Sequence, residues 1–403
     1  MAISRHLSKY LNQYAEPETA ILTEFPQALC YPNVVVIPAY KEHVAFLSQF
    51  AEQSTFTSPT LVILVINQPD DLTETTKQQD LYNHCLSLGD IRWNRQAFTL
   101  VNIKNSVCDI LVIDKFNQGL PRKKGVGLAR KIGADCACQL IKQGNITSSW
   151  IHSTDADATL PKDYFEATKS MDKGDVAGCY NFYHHSDDES VHQANAQYEL
   201  SLRYYVAGLK YANSPYSFFT IGSVLSFSAQ AYANVRGFPK RSAGEDFYLL
   251  NKLAKLGRVV TFDKVAIKLQ ARTSDRVPFG TGPAVEKILA SKALGELYYY
   301  YHPGVFEELK STLVHVKALY QQREQLTSWL NGLSTASCNA LLSLDIEKFV
   351  YAHQACNQEQ FERQFTVWFD AFRTLKFIHH LREHGFADMP LTKAIDMAGF
   401  EVI

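Results

Sequence analysis

An α/β layered domain followed by a helical region is the fold class that this sequence predicts, and three observations carry it. Continuous apolar runs such as Leu61-Val62-Ile63-Leu64-Val65-Ile66 recur in the first half of the chain. Runs of that kind suit parallel strands buried on both faces. They alternate with helix-period segments, the pattern of a sheet with flanking helices. After Gly282 the character changes: residues 284–388 keep a helical period, with few strand signals and breaks at His302-Pro303-Gly304 and Asn331-Gly332. With 403 residues the chain has room for one large domain and an appendage, or for two domains. The expected division is a polar, partly helical lead-in at 1–32, an α/β domain at 33–282 and a helical C-terminal region at 283–403.

Each element follows in order. Val34-Val35-Val36-Ile37 is a buried strand that ends in the loop Pro38-Ala39-Tyr40-Lys41-Glu42, and residues 43–53 form a helix. The run from Leu61 to Ile66 is the second strand and opens into Asn67-Gln68-Pro69-Asp70-Asp71. Ile110-Leu111-Val112-Ile113-Asp114 is the third. A loop over 117–125 leads to a helix at 126–143, which places Leu128, Ile132, Cys136 and Leu140 on one face. Trp150 and Ile151 precede Ser153-Thr154-Asp155-Ala156-Asp157, a strand end opening into a loop that Leu160-Pro161 closes. Residues 175–183 and 221–228 add strands, an aromatic-rich helix spans 194–210 between them, and Val259-Val260-Thr261-Phe262 is a further short strand.

Composition excludes some functions. Apolar residues make up 46% and charged residues 20%, an ordinary globular balance. A formal charge of −1 gives no electrostatic footprint for nucleic acid or an anionic membrane. No apolar run approaches a transmembrane span, and the first fourteen residues lack the apolar stretch of a signal peptide. Eight cysteines are scattered without a C-x-x-C pair, which reads as reduced thiols in a cytoplasm. Cys136 and Cys138 read as two small residues of a helix.

Asp155 and Asp157 carry the sharpest chemical signal. Carboxylate oxygens are hard ligands for Mg²⁺ or Mn²⁺, and such ions commonly bridge protein to a substrate phosphate. The same pair also suits a cap for the helix after Pro161. Gly237-Phe238-Pro239 and then Gly244-Glu245-Asp246-Phe247 stand at the start of a helix with Leu249, Leu250 and Leu253 on its apolar side. Acids in a first turn are stabilised by the helix dipole whatever else they do. Arg272-Thr273-Ser274-Asp275-Arg276, followed by Gly280 and Gly282, reads as a mobile lid bearing phosphate-binding arginines, or as a solvated linker.

The P-x-Y-x-E loop at Pro38, the D-x-D at Asp155 and the Gly-Glu-Asp step at Gly244 occur in an order that resembles family 2 glycosyltransferases of the GT-A fold, over roughly residues 33 to 282. The resemblance implies a mixed sheet with flanking helices, a nucleotide-diphospho-sugar donor and a hydroxyl-bearing acceptor. It implies Asp157 as metal ligand, with Asp155 supporting the metal or the donor ribose, and Asp246, beside Glu245, as general base of an inverting transfer. Pro38, Ala39, Tyr40 and Glu42 would grip the nucleoside. Asn67 stands where relatives often carry Asp, and uracil is the expected base. Lys123, Lys124 and Arg130 resemble the basic segment ahead of the metal motif, with Lys124 toward the diphosphate and Arg130 toward the base or Asp155; Arg272 and Arg276 would complete the donor site. The chain departs from the family in three ways. No His lies between His192 and His302 to serve as a distal metal ligand, so metal binding without nucleotide is expected to be weak. Thr273 and Ser274 replace the Arg and Trp of the Q-x-x-R-W of membrane polysaccharide synthases. The Asp of the second strand is Asn67. A retaining transferase and a non-catalytic nucleotide-sugar binder stay open as alternatives. A nucleotidylyltransferase is disfavoured, because the first loop lacks the glycines that would cradle a triphosphate. Tyr198, Arg203, Tyr204, Tyr205, Tyr211 and Tyr216 are either an acceptor platform or core, and the helical region either shapes the acceptor site or mediates homodimerisation.

Overall fold

The computed structural model describes residues 5–52, 56–272 and 280–402. The chain forms two compact units. One takes the chain up to His185 and again over Thr220–Ala271, and the other takes Ser186–Phe219 and the chain from Gly280 onward.

The first unit opens with α1 (Arg5–Gln13), β1 (Asn33–Ala39), α2 (Ser48–Ala51), β2 (Thr60–Pro69) and α3 (Thr76–Ser87). It continues with β3 (Gly89–Arg95), β4 (Phe98–Ile103), β5 (Cys108–Leu120), α4 (Gly125–Gln143), β6 (Trp150–Ser153), β7 (Ala158–Thr159) and β8 (Asp175–His185). Helix α5 (Glu189–Tyr211) belongs to the second unit, after which the first resumes with β9 (Leu225–Ser228), α6 (Ala229–Asn234), α7 (Glu245–Leu253) and β10 (Arg258–Gln270). Among the described residues these ten strands form one mixed sheet in the order β3-β4-β5-β2-β1-β6-β9-β8-β10-β7.

The apolar runs lie where the sheet is parallel. β1 pairs parallel with β2 and with β6, and β2 with β5. Val34 to Ile37 and Leu61 to Ile66 are wholly buried, and burying each such side chain contributes about 1.5–3 kcal/mol. Helix α4 packs on β1 and β2, with its middle turns buried nearly all round. Cys136 and Cys138 are two of those buried residues and carry free thiols, whose ionisation burial opposes. Gly144, left-handed at φ 87°, caps the helix C-terminus, and its N–H reaches the Ile141 carbonyl.

Several elements differ from the expectation. The first strand continues through Pro38 to Ala39. Val36 accepts from the Thr154 N–H, so Val36 and, two residues on, Pro38 face β6. β6 has ended by then, and the N–H that proline lacks has no strand partner to lose. The helix expected over 43–53 is a short 3₁₀ turn and then α2; its last residue, Gln53, lies outside the described residues. β5 extends through the polar residues 114–120 because its backbone goes on pairing with Asn67 and Pro69 of β2. Likewise the short strand expected at 259–262 runs to Gln270 alongside β8, across a register shift after Phe262.

In the second unit α5 packs with α8 (Thr281–Ala293), and the remaining described chain is largely helical to Asp396. Its core gathers Tyr204, Phe306, Leu309, Trp329 and Phe377. Among the described residues no helix is long and apolar enough to cross a membrane.

Candidate active site

The sheet brings three sequence-distant loops to one edge. Ile66 of β2 aligns with Ala39 of β1, and Ser153 of β6 aligns with Val36. Tyr40, Asn67 and Asp155 therefore stand at the carboxyl ends of three adjacent parallel strands, where open α/β sheets bind ligands. Tyr40 and Glu42 are half-buried beyond β1, and Lys41 between them is left-handed at φ 54°. Asn67 is buried, and its Oδ1 has no hydrogen-bond partner among the described residues. A buried acceptor without a donor is costly, so this oxygen has hydrogen-bonding capacity to spare.

Arg130 ties the site together. It lies on the second turn of α4 with a side chain only 2% exposed. Its Nε donates to Glu245 Oε1 at 2.8 Å, Nη1 to Ser153 Oγ at 3.0 Å and to the Thr154 carbonyl at 3.3 Å, and Nη2 to Asp155 Oδ1 at 2.5 Å. Burial opposes its charge, but the neighbouring Asp155 and Glu245 carboxylates outweigh burial and hold the guanidinium above its ordinary pKa. Gly222 makes room for it: a Cβ there would stand 2.3 Å from Nη2. The other oxygen of Asp155 accepts from Ser223 Oγ at 2.6 Å, and Thr154 Oγ1 donates to the Ser223 carbonyl at 2.7 Å. The D-x-D turn is thus locked on both sides.

The acidic helix start is built by a left-handed glycine. Gly244, at φ 71°, turns the chain into α7. Glu245 points inward to Arg130 and is buried, while Asp246 is half-buried. Desolvation, then the charge of adjacent Glu245, pushes the Asp246 carboxyl up to about 7; the Phe247 N–H, 2.7 Å from Oδ1, and Arg130 oppose the rise. A carboxyl poised there exchanges protons near neutral pH. The charge of Asp155 adds to the rise, and the Cys179 thiol of β8, raised mainly by burial, feels the charge of Asp246 in turn.

The fit of a divalent cation is limited by the donor set. Among the described residues no group of three His, Cys, Asp or Glu side chains could hold an ion. Both Asp155 oxygens are already engaged by Arg130 and Ser223. Asp157 is half-buried at the turn before β7, and its backbone carbonyl accepts from Gln270 N–H at 2.9 Å. Its carboxylate is a hard oxygen donor of the kind Mg²⁺ or Mn²⁺ takes, but one such donor would leave the rest of the shell to substrate oxygens and water.

The structure therefore brings Arg130, Asp155, Glu245 and Asp246 together and sets Tyr40 and Asn67 on the same sheet edge. Pro38 and Ala39 are buried strand residues beneath it. Lys124 is exposed at the N-cap of α4, beside exposed Lys123. Arg272 belongs with the second unit, while Arg276 and the rest of the expected lid over 273–279 lie outside the described residues. Of the aromatic segment, Tyr204 is core of the second unit, Tyr216 donates to the Thr366 carbonyl, and Arg203 pairs with Glu199. His184 and His185 end β8, and Asp188, in the short acidic link that follows, caps α5 by accepting from Ser190 and Val191 N–H. Ser153, Gly222 and Ser223 are the site residues that sequence reasoning missed. Ser153 stands beside the D-x-D, whereas Gly222 and Ser223 adjoin no motif.

Residues 150–387 match the model of glycosyl transferase family group 2, and the chain belongs to that family. It is a glycosyltransferase, and its mixed sheet with flanking helices is the GT-A fold. No curated protein matches the sequence. Among solved structures, residues 1–349 of S. aureus TarS in complex with UDP-GlcNAc are similar at 12% identity, over 87% of this chain and 89% of that one, with a TM-score of 0.40. The mannosyltransferase PcManGT from Pyrobaculum calidifontis, in complex with GDP-Man and Mn²⁺, is similar at 14% identity, over 94% and 96%, with a TM-score of 0.38.

Proposed function

We propose that this glycosyltransferase moves one sugar from a nucleoside-diphosphate donor to a hydroxyl acceptor with inversion, using Asp246 as general base. The observation that supports the reading is the Arg130 bridge. One buried guanidinium joins the D-x-D turn to the Glu245-Asp246 step, so the donor-side and acceptor-side carboxylates share one rigid support.

Asp246 takes the proton of the acceptor hydroxyl as its oxygen attacks the anomeric carbon. The bond from that carbon to the diphosphate oxygen breaks in line, and the electron pair leaves with the nucleoside diphosphate. Asp157 would hold Mg²⁺ or Mn²⁺, which when bound neutralises charge on the leaving diphosphate. Tyr40 packs on the base, and Asn67 Oδ1 accepts from it. Uracil fits, since its imide N–H is a donor and its carbonyls can take the amide N–H of Asn67.

The test is thermal stability against uridine and guanosine diphosphates and their sugars, with and without Mn²⁺, for the wild type and Asp157→Ala. A ligand that binds only the folded state raises the melting point by mass action. A Mn²⁺-dependent rise with one nucleotide, lost in the variant, is expected. No rise with any nucleotide refutes the donor assignment, and a product that keeps the donor's anomeric configuration refutes inversion.

A further inference from the structure

The segment that delivers the acidic pair, Val235 to Gly244, is held by a buried polar cluster that the transfer reaction does not itself use. At its centre is Asp135, fully buried on α4. Its Oδ1 accepts from the hydroxyl of Tyr10 in α1 and, at 3.0 Å, from that of Tyr232 in α6. Its Oδ2 accepts from Lys131 Nζ at 2.9 Å and from the backbone N–H of Glu16 at 2.8 Å. Lys131 Nζ also donates to the Tyr10 hydroxyl at 2.6 Å. A buried carboxylate with four donors is fully satisfied and correspondingly rigid.

The cluster meets the segment at its start. Gly237 is left-handed at φ 73°, and a Cβ there would stand 2.5 Å from the Tyr10 hydroxyl and 2.8 Å from that of Tyr232. Its N–H donates to the Tyr232 carbonyl at 2.9 Å. Lys252, on the same helix as Asp246, closes the loop by donating to the carbonyls of Val235 and Gly237, both at 2.9 Å. Farther along, Lys240 Nζ lies 2.9 Å from Glu16 Oε1, and the Arg241 carbonyl accepts from Gly127 N–H at 2.9 Å. Gly244 and Glu245 follow at once. The N-terminal segment thus packs closely on the loop at Gly237 and is ion-paired to it at Lys240, a few residues before the acidic step.

We propose that Tyr10 and Asp135 are positioning residues of the transferase: through Gly237 and Lys252 they fix where α7 begins, and hence where the Asp246 carboxylate stands. This rests on the assignment of Asp246 as the base. Residues 5–16 then belong to the working enzyme, although they precede the stretch that matches the family model.

The experiment compares wild type, Tyr10→Phe, Asp135→Asn and Asp246→Asn in the release of nucleoside diphosphate from UDP- and GDP-sugars, with water as acceptor. Rates are expressed per nucleotide-binding site, counted by calorimetric titration with UDP or GDP and Mn²⁺. Tyr10→Phe keeps the ring and removes one donor from Asp135, the milder of the two changes, and it carries the test if Asp135→Asn does not fold. The expected result is a roughly tenfold lower kcat per binding site for Tyr10→Phe, with nucleotide Kd within about twofold, the signature of a displaced catalytic group rather than lost binding. An unchanged kcat per site overturns the proposal, as does a loss of rate that a lower count of binding sites accounts for in full. Asp246→Asn separates the two readings. If it abolishes release while Tyr10→Phe is normal, the base stands and the brace fails; if it turns over like the wild type, the base assignment fails and takes the brace with it.

Discussion

Arg130 and Glu245, 115 residues apart in sequence, meet at 2.8 Å in the interior with side chains 2% and 5% exposed. Taking both charges out of water costs several kcal/mol unless each is fully matched. The match is completed by Asp155, Ser153 and the Thr154 carbonyl, so the guanidinium holds two carboxylates from two motifs in one fixed geometry.

Lysine cannot replace this arginine. An ammonium is a single point charge on a flexible stem and does not offer the planar fork that reaches Glu245 and Asp155 in different directions. Arg130→Lys is expected to lower transfer by about a hundredfold, since a misplacement of order 1 Å costs that much. Arg130→Ala strands buried Glu245 and is expected to destabilise by about 3–5 kcal/mol. Urea denaturation and donor turnover measured side by side check both; a Lys variant with wild-type turnover would show that charge alone suffices.

Gly222 is a steric gate on the same bridge. The Cβ of Gly222→Ala would fall 2.3 Å from Nη2 and 3.0 Å from Cζ of Arg130. The guanidinium must shift, and overpacking of this kind costs about 1–3 kcal/mol. The expected outcome is a drop in turnover larger than the loss in stability explains at the assay temperature. Equal turnover per folded molecule would mean that the bridge tolerates displacement.

Asp246 gives activity and stability opposite dependences on pH. As a base it must be ionised, so turnover is expected to rise as pH increases through about 7, the value to which burial and Glu245 push it. For stability the sign is reversed. Its folded pKa lies above the ordinary 3.8, so the folded state holds the proton more tightly. The stabilisation from that proton is full below about pH 3.8 and is lost as pH rises through about 7. Asp246→Asn should therefore abolish turnover yet melt higher than the wild type at pH 8, with the gap closing toward pH 5. Melting curves at the two pH values decide it, and a variant less stable than wild type at pH 8 contradicts the assignment of a strained, ionised carboxyl.

The parts legible in the sequence were those where one face or two faces of an element are buried. The runs at 34–37, 61–66 and 110–114 announced the parallel centre of the sheet, because burial on both sides leaves no polar position to break the pattern. Helix α3 went unseen, as did the hairpin of β3 and β4: β3 is largely exposed, so Gly89-Asp90-Ile91-Arg92 carries no alternation, and the buried strand β4 is only six residues long. Site chemistry followed the same logic. Asp155, Glu245 and Asp246 were visible as charged residues at element ends in an order that resembles the family's, and Arg130 through its likeness to the family's basic segment. Its pairing with Glu245 was not legible, since nothing in either local pattern encodes a contact across 115 residues. Nor did sequence foresee Asp135, which lies mid-helix among apolar residues and finds its donors on α1 and α6.

The two carboxylates of the D-x-D turn should separate under mutation. Asp155 is spoken for within the protein, accepting from Arg130 on one oxygen and Ser223 on the other. Its loss leaves Arg130 with one fewer counter-charge in a buried setting, although the 32% exposure of the Asp155 side chain softens the effect. Asp155→Asn is therefore expected to lower the melting point of the ligand-free chain by a few degrees, the scale of about 1 kcal/mol in a chain of this size. Asp157→Asn is expected to act on the ligand-bound state, removing the extra stabilisation that Mn²⁺ adds to nucleotide binding. Mn²⁺ alone should shift neither variant nor wild type appreciably, because no three-ligand group stands among the described residues. A large shift with Mn²⁺ alone in the wild type, or a Mn²⁺-dependent nucleotide shift that survives Asp157→Asn, would place the ion elsewhere.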